Sequence, residues 1–204
     1  MSEHVSRRHA CAAGDDDVVV LGGGAAGLMC AAVAGARGRR VRVLEKTRRC
    51  GKKILMSGGG RCNFTNLYCS PDNFLSANPH YCKSALSRYT PADFIALVEA
   101  HHIAYHEKER GQLFCDHSAK AIVAMLLDEC AAAGVAIDNE IEIERVVPDA
   151  EHGFIVHTAQ GDYRAASVVV ATGGLPIPKM GASDFGLSVA RGFDLPIHDT
   201  RAAL

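Results

Sequence analysis

Glycines at positions 22, 24 and 27 and a carboxylate at position 45 have the types and spacing of a dinucleotide site. In Gly22-Gly23-Gly24-Ala25-Ala26-Gly27 the first glycine of the G-x-G-x-x-G pattern lets the chain turn tightly. The second lets backbone approach a pyrophosphate, and the third lets a helix pack on a strand. Ala26 stands in the same phosphate-facing turn. Glu45 falls eighteen residues after Gly27, where an acid accepts hydrogen bonds from an adenosine ribose and repels a 2′-phosphate.

The elements needed to position these residues are present in order. Val18 to Leu21 is a short β-branched run of the kind buried on both faces of a parallel sheet. An Ala-rich helix is expected from the glycine turn to about Arg37, with its free N–H groups and positive dipole end facing the phosphates. Val41, Val43 and Leu44 form the second strand, which ends on Glu45. An NAD domain would cross back into a third parallel strand soon afterwards. Lys46 to Asn66 contains no strand-like run. It offers instead Ser57-Gly58-Gly59-Gly60, whose backbone can approach a planar or anionic ligand, with Lys52, Lys53 and Arg61 for charge and Asn63, Thr65 and Asn66 as donors and acceptors. A basic surface loop is the plainer alternative.

Strand-like runs at Ile141 to Val147, Phe154 to Thr158 and Asp162 to Ala165 suggest a small β-meander. Val168 to Ala171 then returns to the sheet and ends in Thr172-Gly173-Gly174. This order, glycine turn, meander, return strand and A-T-G-G, is that of FAD-binding proteins of the two-dinucleotide-binding type. Helices are expected from Pro91 to His101 and His102, from an N-cap at Ser118 through Cys130 to a stop at Gly134, and over Phe185 to Phe193.

Through VVVLGGGAAGLMCA (18–31), GKKILMSGGGRCNFTN (51–66), HEKERGQLFCDHSAKAIVAML (106–126) and VVVATGGLPIPKMGASDFG (168–186), the chain resembles the aminoacetone-oxidase-like family of FAD-dependent flavoproteins. That group also includes members linked to bile-acid reduction. The resemblance implies an α/β Rossmann-like FAD-binding domain over 17–204, behind a disordered tail over 1–16. It implies FAD as cofactor, with NAD(P)H as electron donor. Lys46 and Lys53 are then expected near the phosphates and Ile143 at the adenine. The loop Ser57, Gly58, Gly59, Gly60, Arg61, Cys62, Asn63, Thr65, Asn66 is expected along the flavin. Ala171, Thr172, Gly173 and Gly174 complete the nucleotide side, and 178–183 is expected at the isoalloxazine. Family members run to about twice this length, so the chain is expected to lack the C-terminal half of the fold, to be complemented by such a fragment, and to hold FAD weakly.

Composition narrows the rest. The formal net charge is −1, and Phe64 alone interleaves the cations of 46–66, so a small-molecule substrate is expected rather than a nucleic acid. A non-catalytic nucleotide-binding fragment and a flavin-dependent RNA-modifying enzyme are the rival classes. No run is long enough to span a membrane and Arg7-Arg8 precedes no apolar segment, which points to the cytoplasm. The eight cysteines include no C-x-x-C, and His106-Glu107 opens an H-E-x-x-H that fails at its last position, so no metal site is expected. Cys30 and Cys130 are expected in the core, while Arg61 beside Cys62 is a candidate to lower that thiol's pKa. No pair of residues has the spacing of a catalytic acid and base.

Overall fold

The computed structural model describes residues 16–175 and 183–200. The chain divides into two compact units, one made of residues up to Cys50 and from Glu129 onward, the other of Gly51–Asp128.

The first unit is built on a six-stranded sheet. Asp16–Leu21 (β1) is followed by helix α1 (Ala25–Ala36) and Val41–Glu45 (β2), and the chain returns through Ala136–Asn139 (β6), Ile143–Asp149 (β7), Gly153–Thr158 (β8) and Gly161–Val170 (β9). Helix α6 (Phe185–Gly192) closes it. The strand order is β6-β2-β1-β9-β8-β7, with β6, β2, β1 and β9 parallel and the last three antiparallel. Burial explains the apolar run of β1: Val19, Val20 and Leu21 are fully buried. Val19 and Leu21 share a core with Leu44, Ile141, Val156 and Ala165. Arg42 crosses the parallel strands. Its Nε donates to Asp16 at 2.7 Å, its NH1 group to Asp138 at 2.9 Å, and its guanidinium lies over the Tyr163 ring.

Three sequence expectations change here. Asp16 belongs to β1 rather than to a tail, because its carboxylate holds Arg42. The meander's third strand and the return strand are one ten-residue strand, β9. Ala165 in its middle pairs with Phe154 on one side and Asp16 on the other, so both sheet halves share it. The first meander strand begins at Ile143, not Ile141. As expected, no third parallel strand follows soon after β2; the strand that pairs with its free edge is β6, reached only after the whole second unit.

In the second unit, Lys46 to Asn66 is not strandless. Asn63–Asn66 (β3) joins Gln112–Cys115 (β5) and Tyr105–Glu107 (β4) in an antiparallel sheet of order β3-β5-β4. Helix α2 (Lys52–Met56) precedes a short turn over Ser57–Gly60. Lys83–Arg88 (α3) and Pro91–Ala100 (α4) follow. Thr90 and Asp93 cap the second of these reciprocally, and His101 ends it. Helix α5 (Lys120–Ala132) starts where Ser118 Oγ accepts the Lys120 N–H at 3.2 Å. Residues 1–15 and 176–182, which include most of the expected isoalloxazine segment, lie outside the described residues.

Candidate nucleotide site at the carboxyl ends of the parallel strands

From β1 the chain winds outward to β2 and β6, then returns to the other side of β1 as β9. The gap between β1 and β9 is therefore the topological switch point, where open α/β sheets bind ligands. Gly22 leaves β1 with φ +106°, and a Cβ there would come within 2.6 Å of the Ala171 carbonyl oxygen. Glycine brings the two turns together. Gly27 is equally constrained, since a Cβ would fall onto the Gly22 carbonyl oxygen.

Gly24 is different. Its φ of −82° and ψ of −174° suit any residue, and a Cβ there would meet nothing within 4 Å among the described residues. Neither backbone nor the packing of the described residues requires glycine at this position, and they leave the space beside it open. Gly24 is also the N-cap of α1, whose first turn has no capping side chain and no acidic residue. Free N–H groups at the positive end of a twelve-residue helix form a setting that holds a phosphate. Ala25 and Ala26 are exposed at this end.

Glu45 sits at the end of β2 and fixes the glycine turn. Its Oε2 accepts the Gly23 N–H at 2.7 Å, and its Oε1 accepts the Thr47 N–H and hydroxyl at 2.8 and 2.7 Å. A carboxylate offers about four lone-pair sites, so Oε2 keeps one for a further donor. Cys50 Sγ packs where a Gly23 side chain would stand. Burial, then the Glu45 charge, push its pKa up to about 11. Lys46 Nζ pairs with Glu142 at 3.0 Å on the surface, and Ile143 is half-buried at the edge of the core. On the return side, Gly173 has φ +80°, and Thr172 Oγ1 is buried without a hydrogen-bond partner among the described residues. An unsatisfied hydroxyl at a switch point is a vacant contact for a ligand.

In the second unit, the backbone of the loop is set by its glycines. Gly58, Gly59 and Gly60 all have positive φ (+55°, +65° and +87°), and a Gly58 Cβ would strike the Phe114 ring at 2.7 Å. Among the described residues no atom lies within 4 Å of a Cβ at Gly59. The Gly60 carbonyl accepts the Ala119 N–H at 2.7 Å, and Ser57 Oγ donates to the Ile54 carbonyl. Lys52, Lys53 and Arg61 are exposed. Asn66 uses its amide internally, accepting the Tyr68 N–H and donating to the Arg110 carbonyl, while Asn63's amide group reaches the Thr65 and Leu113 carbonyls. Thr65 is half-buried in β3.

The thiol at position 62 reverses its expectation. Cys62 is buried at 5% exposure, and that burial raises its pKa despite Arg61 next to it in sequence. Cys115 and Cys130 are each pushed up to about 11, first by burial. Cys130 is core as expected, whereas Cys30 is only half-buried. Alkylation at mildly alkaline pH should therefore reach Cys30 and Cys69 before Cys50, Cys62, Cys115 and Cys130, because only thiolates react. Peptide mass mapping checks this. Early labelling of Cys50 would mean that the glycine turn opens readily.

Residues 16–202 match the HI0933-like protein Rossmann domain. The chain belongs to that family. Among relatives, it is 51% identical to the ribosomal RNA dihydrouridine synthase of Escherichia coli strain K12 over 87% of this chain and 44% of the relative. It is 46% identical to the protein of the same name from Haemophilus influenzae, over 87% and 45%. The chain thus spans less than half the length of these curated relatives. Glycine oxidase from Geobacillus kaustophilus shares the fold, with a TM-score of 0.57 at 18% identity over 82% of this chain and 57% of that one.

Within this HI0933-like Rossmann domain, Gly22, Gly24, Gly27, Glu45, Ala171 and Thr172 gather at the ends of β1, β2 and β9, as the sequence pattern implies. Lys46 instead meets a carboxylate. The Gly23 to Glu45 hydrogen bond and the Cys50 packing were not read from sequence. Among the described residues no helix is long and apolar enough to cross a membrane.

Proposed function

We propose that this chain is the FAD-binding Rossmann part of a flavoenzyme that reduces uridine in ribosomal RNA. The observation that carries the cofactor is the open space at Gly24, beside an uncapped helix N-terminus and at the switch point. Gly22, Gly24, Ala26 and Gly27 would hold the pyrophosphate, Glu45 the ribose, and Ala171 to Gly174 the opposite side. By family resemblance, Ile143 would meet the adenine and the Ser57 to Asn66 loop the flavin, with Lys53 adding positive charge. Bound FAD supplies two-electron hydride chemistry, and NAD(P)H would restore its reduced form. Saturating the uridine 5,6 double bond consumes one hydride and one proton.

The RNA assignment is supported by the names of relatives about half identical to this chain over 87% of its length. Whole-chain charge had favoured a small molecule. In this reading that argument gives way, because the charge of −1 averages over unlike segments.

Two measurements test the proposal. Absorbance of the purified protein should show flavin bands, and Glu45→Ala should weaken FAD binding about tenfold through loss of a charge-assisted hydrogen bond. The same substitution should lower stability by about 1–3 kcal/mol in a urea melt, because the Gly23 N–H loses its acceptor. Nucleoside mass spectrometry of ribosomal RNA should show dihydrouridine lost when the gene is deleted and regained on complementation. Unchanged dihydrouridine would remove the RNA assignment, and a protein without flavin bands under FAD saturation would remove the cofactor.

A further inference from the structure

Charge in the second unit is unevenly divided. Residues 51–89 carry five cations, Lys52, Lys53, Arg61, Lys83 and Arg88, against Asp72 alone, whereas residues 90–128 carry six carboxylates against three cations. All five cations of the first stretch are exposed. The same stretch leaves aromatic rings in solvent, with Tyr68 70%, Tyr81 55% and Phe74 39% exposed.

Tyr68 is exposed yet firmly seated. Its N–H donates to Asn66 Oδ1 at 2.8 Å, and Asn66 Nδ2 donates to the Arg110 carbonyl at 2.9 Å. The Leu67 N–H donates to the Gly111 carbonyl at 2.8 Å. The ring lies against Gly111, where a Cβ would come within 2.7 Å of Tyr68 Cδ2. One side of the ring is thus held by backbone while most of the residue stays open. A fixed, open ring in a stretch of chain that carries five exposed cations and a single acid suits single-stranded nucleic acid, whose bases stack on aromatic faces while its phosphates meet lysine and arginine.

We infer that residues 51–89 dock a single-stranded stretch of RNA, with Tyr68 as a base-stacking platform and the exposed cations on its phosphates. This rests on the RNA reading above and adds where the RNA is held. The carboxylates of 90–128 disfavour a polyanion on the remainder of the unit.

The test measures fluorescence anisotropy of a fluorescein-labelled, mixed-sequence single-stranded oligoribonucleotide against the purified FAD-loaded protein. Tyr68→Ala should weaken binding about tenfold, and Tyr68→Phe should stay within about twofold, because stacking needs the ring and not the hydroxyl. Lys83→Ala with Arg88→Ala should flatten the salt dependence, since fewer counterions are released. FAD content should be unchanged in all three. Equal affinity of Tyr68→Ala and wild type would overturn the proposal. So would tighter binding of a duplex than of the single strand. If Tyr68→Ala lowers the melting temperature and leaves RNA affinity intact, the ring packs against protein and the proposal also falls. Loss of ribosomal dihydrouridine on gene deletion, together with wild-type RNA binding by Tyr68→Ala, would reject this surface and leave the RNA reading standing. Retention of dihydrouridine would reject that reading itself.

Discussion

Gly24→Val should leave a folded protein that no longer holds FAD. The backbone at Gly24 is extended, which valine accepts, and among the described residues no atom lies within 4 Å of the new Cβ. Replacing a glycine N-cap costs at most about 1 kcal/mol. The side chain would occupy the space through which a pyrophosphate must approach the first turn of α1. We expect FAD affinity to fall at least about a hundredfold, or about 2.7 kcal/mol. Absorbance after desalting and a thermal melt without flavin would be read together. A Gly24→Val protein that keeps its flavin bands would show that the pyrophosphate does not pass over this residue.

Gly27→Ala should fail in the opposite way. Its Cβ would overlap the Gly22 carbonyl oxygen, and because both partners are backbone, neither a rotamer change nor a flexible side chain can relieve the contact. Helix α1 would have to lift from the end of β1, where Leu28 and Ala31 are fully buried. Overpacking of this kind costs about 3 kcal/mol or more. A urea melt in the absence of flavin should shift accordingly. An unshifted midpoint would mean that α1 can slide freely on the strand. Two glycines of one motif thus serve different ends, one clearing space for a ligand and the other letting helix meet strand.

The sequence made the βαβ unit legible because its signals agree: a β-branched run, a glycine turn and an Ala-rich helix. The second sheet was not legible because its strands are three or four residues long and mix polar with apolar positions, as in Asn63-Phe64-Thr65-Asn66 and Tyr105-His106-Glu107. Strand β6 is also four residues and follows directly on a helix stop. β9 was divided in two because Ala165-Ala166-Ser167 has no apolar alternation. Its pairing on both edges, not its own side chains, keeps it extended. Cys62 shows the limit of reading chemistry from neighbours in sequence, since its burial in space outweighs the cation next to it in the chain.

The pairing of β1 with β9 also sets when the protein can fold. Val19, Val20 and Leu21 are buried from both edges of β1, yet their partners Val168, Val169 and Val170 lie far down the chain. During synthesis at about 5–20 residues per second, an apolar strand made near the beginning waits on the order of 10–30 s for the one that covers it. Contacts so distant in sequence slow folding in the test tube as well. The nascent chain therefore carries an unpaired, aggregation-prone strand edge for as long as the residues between β1 and β9 are being made.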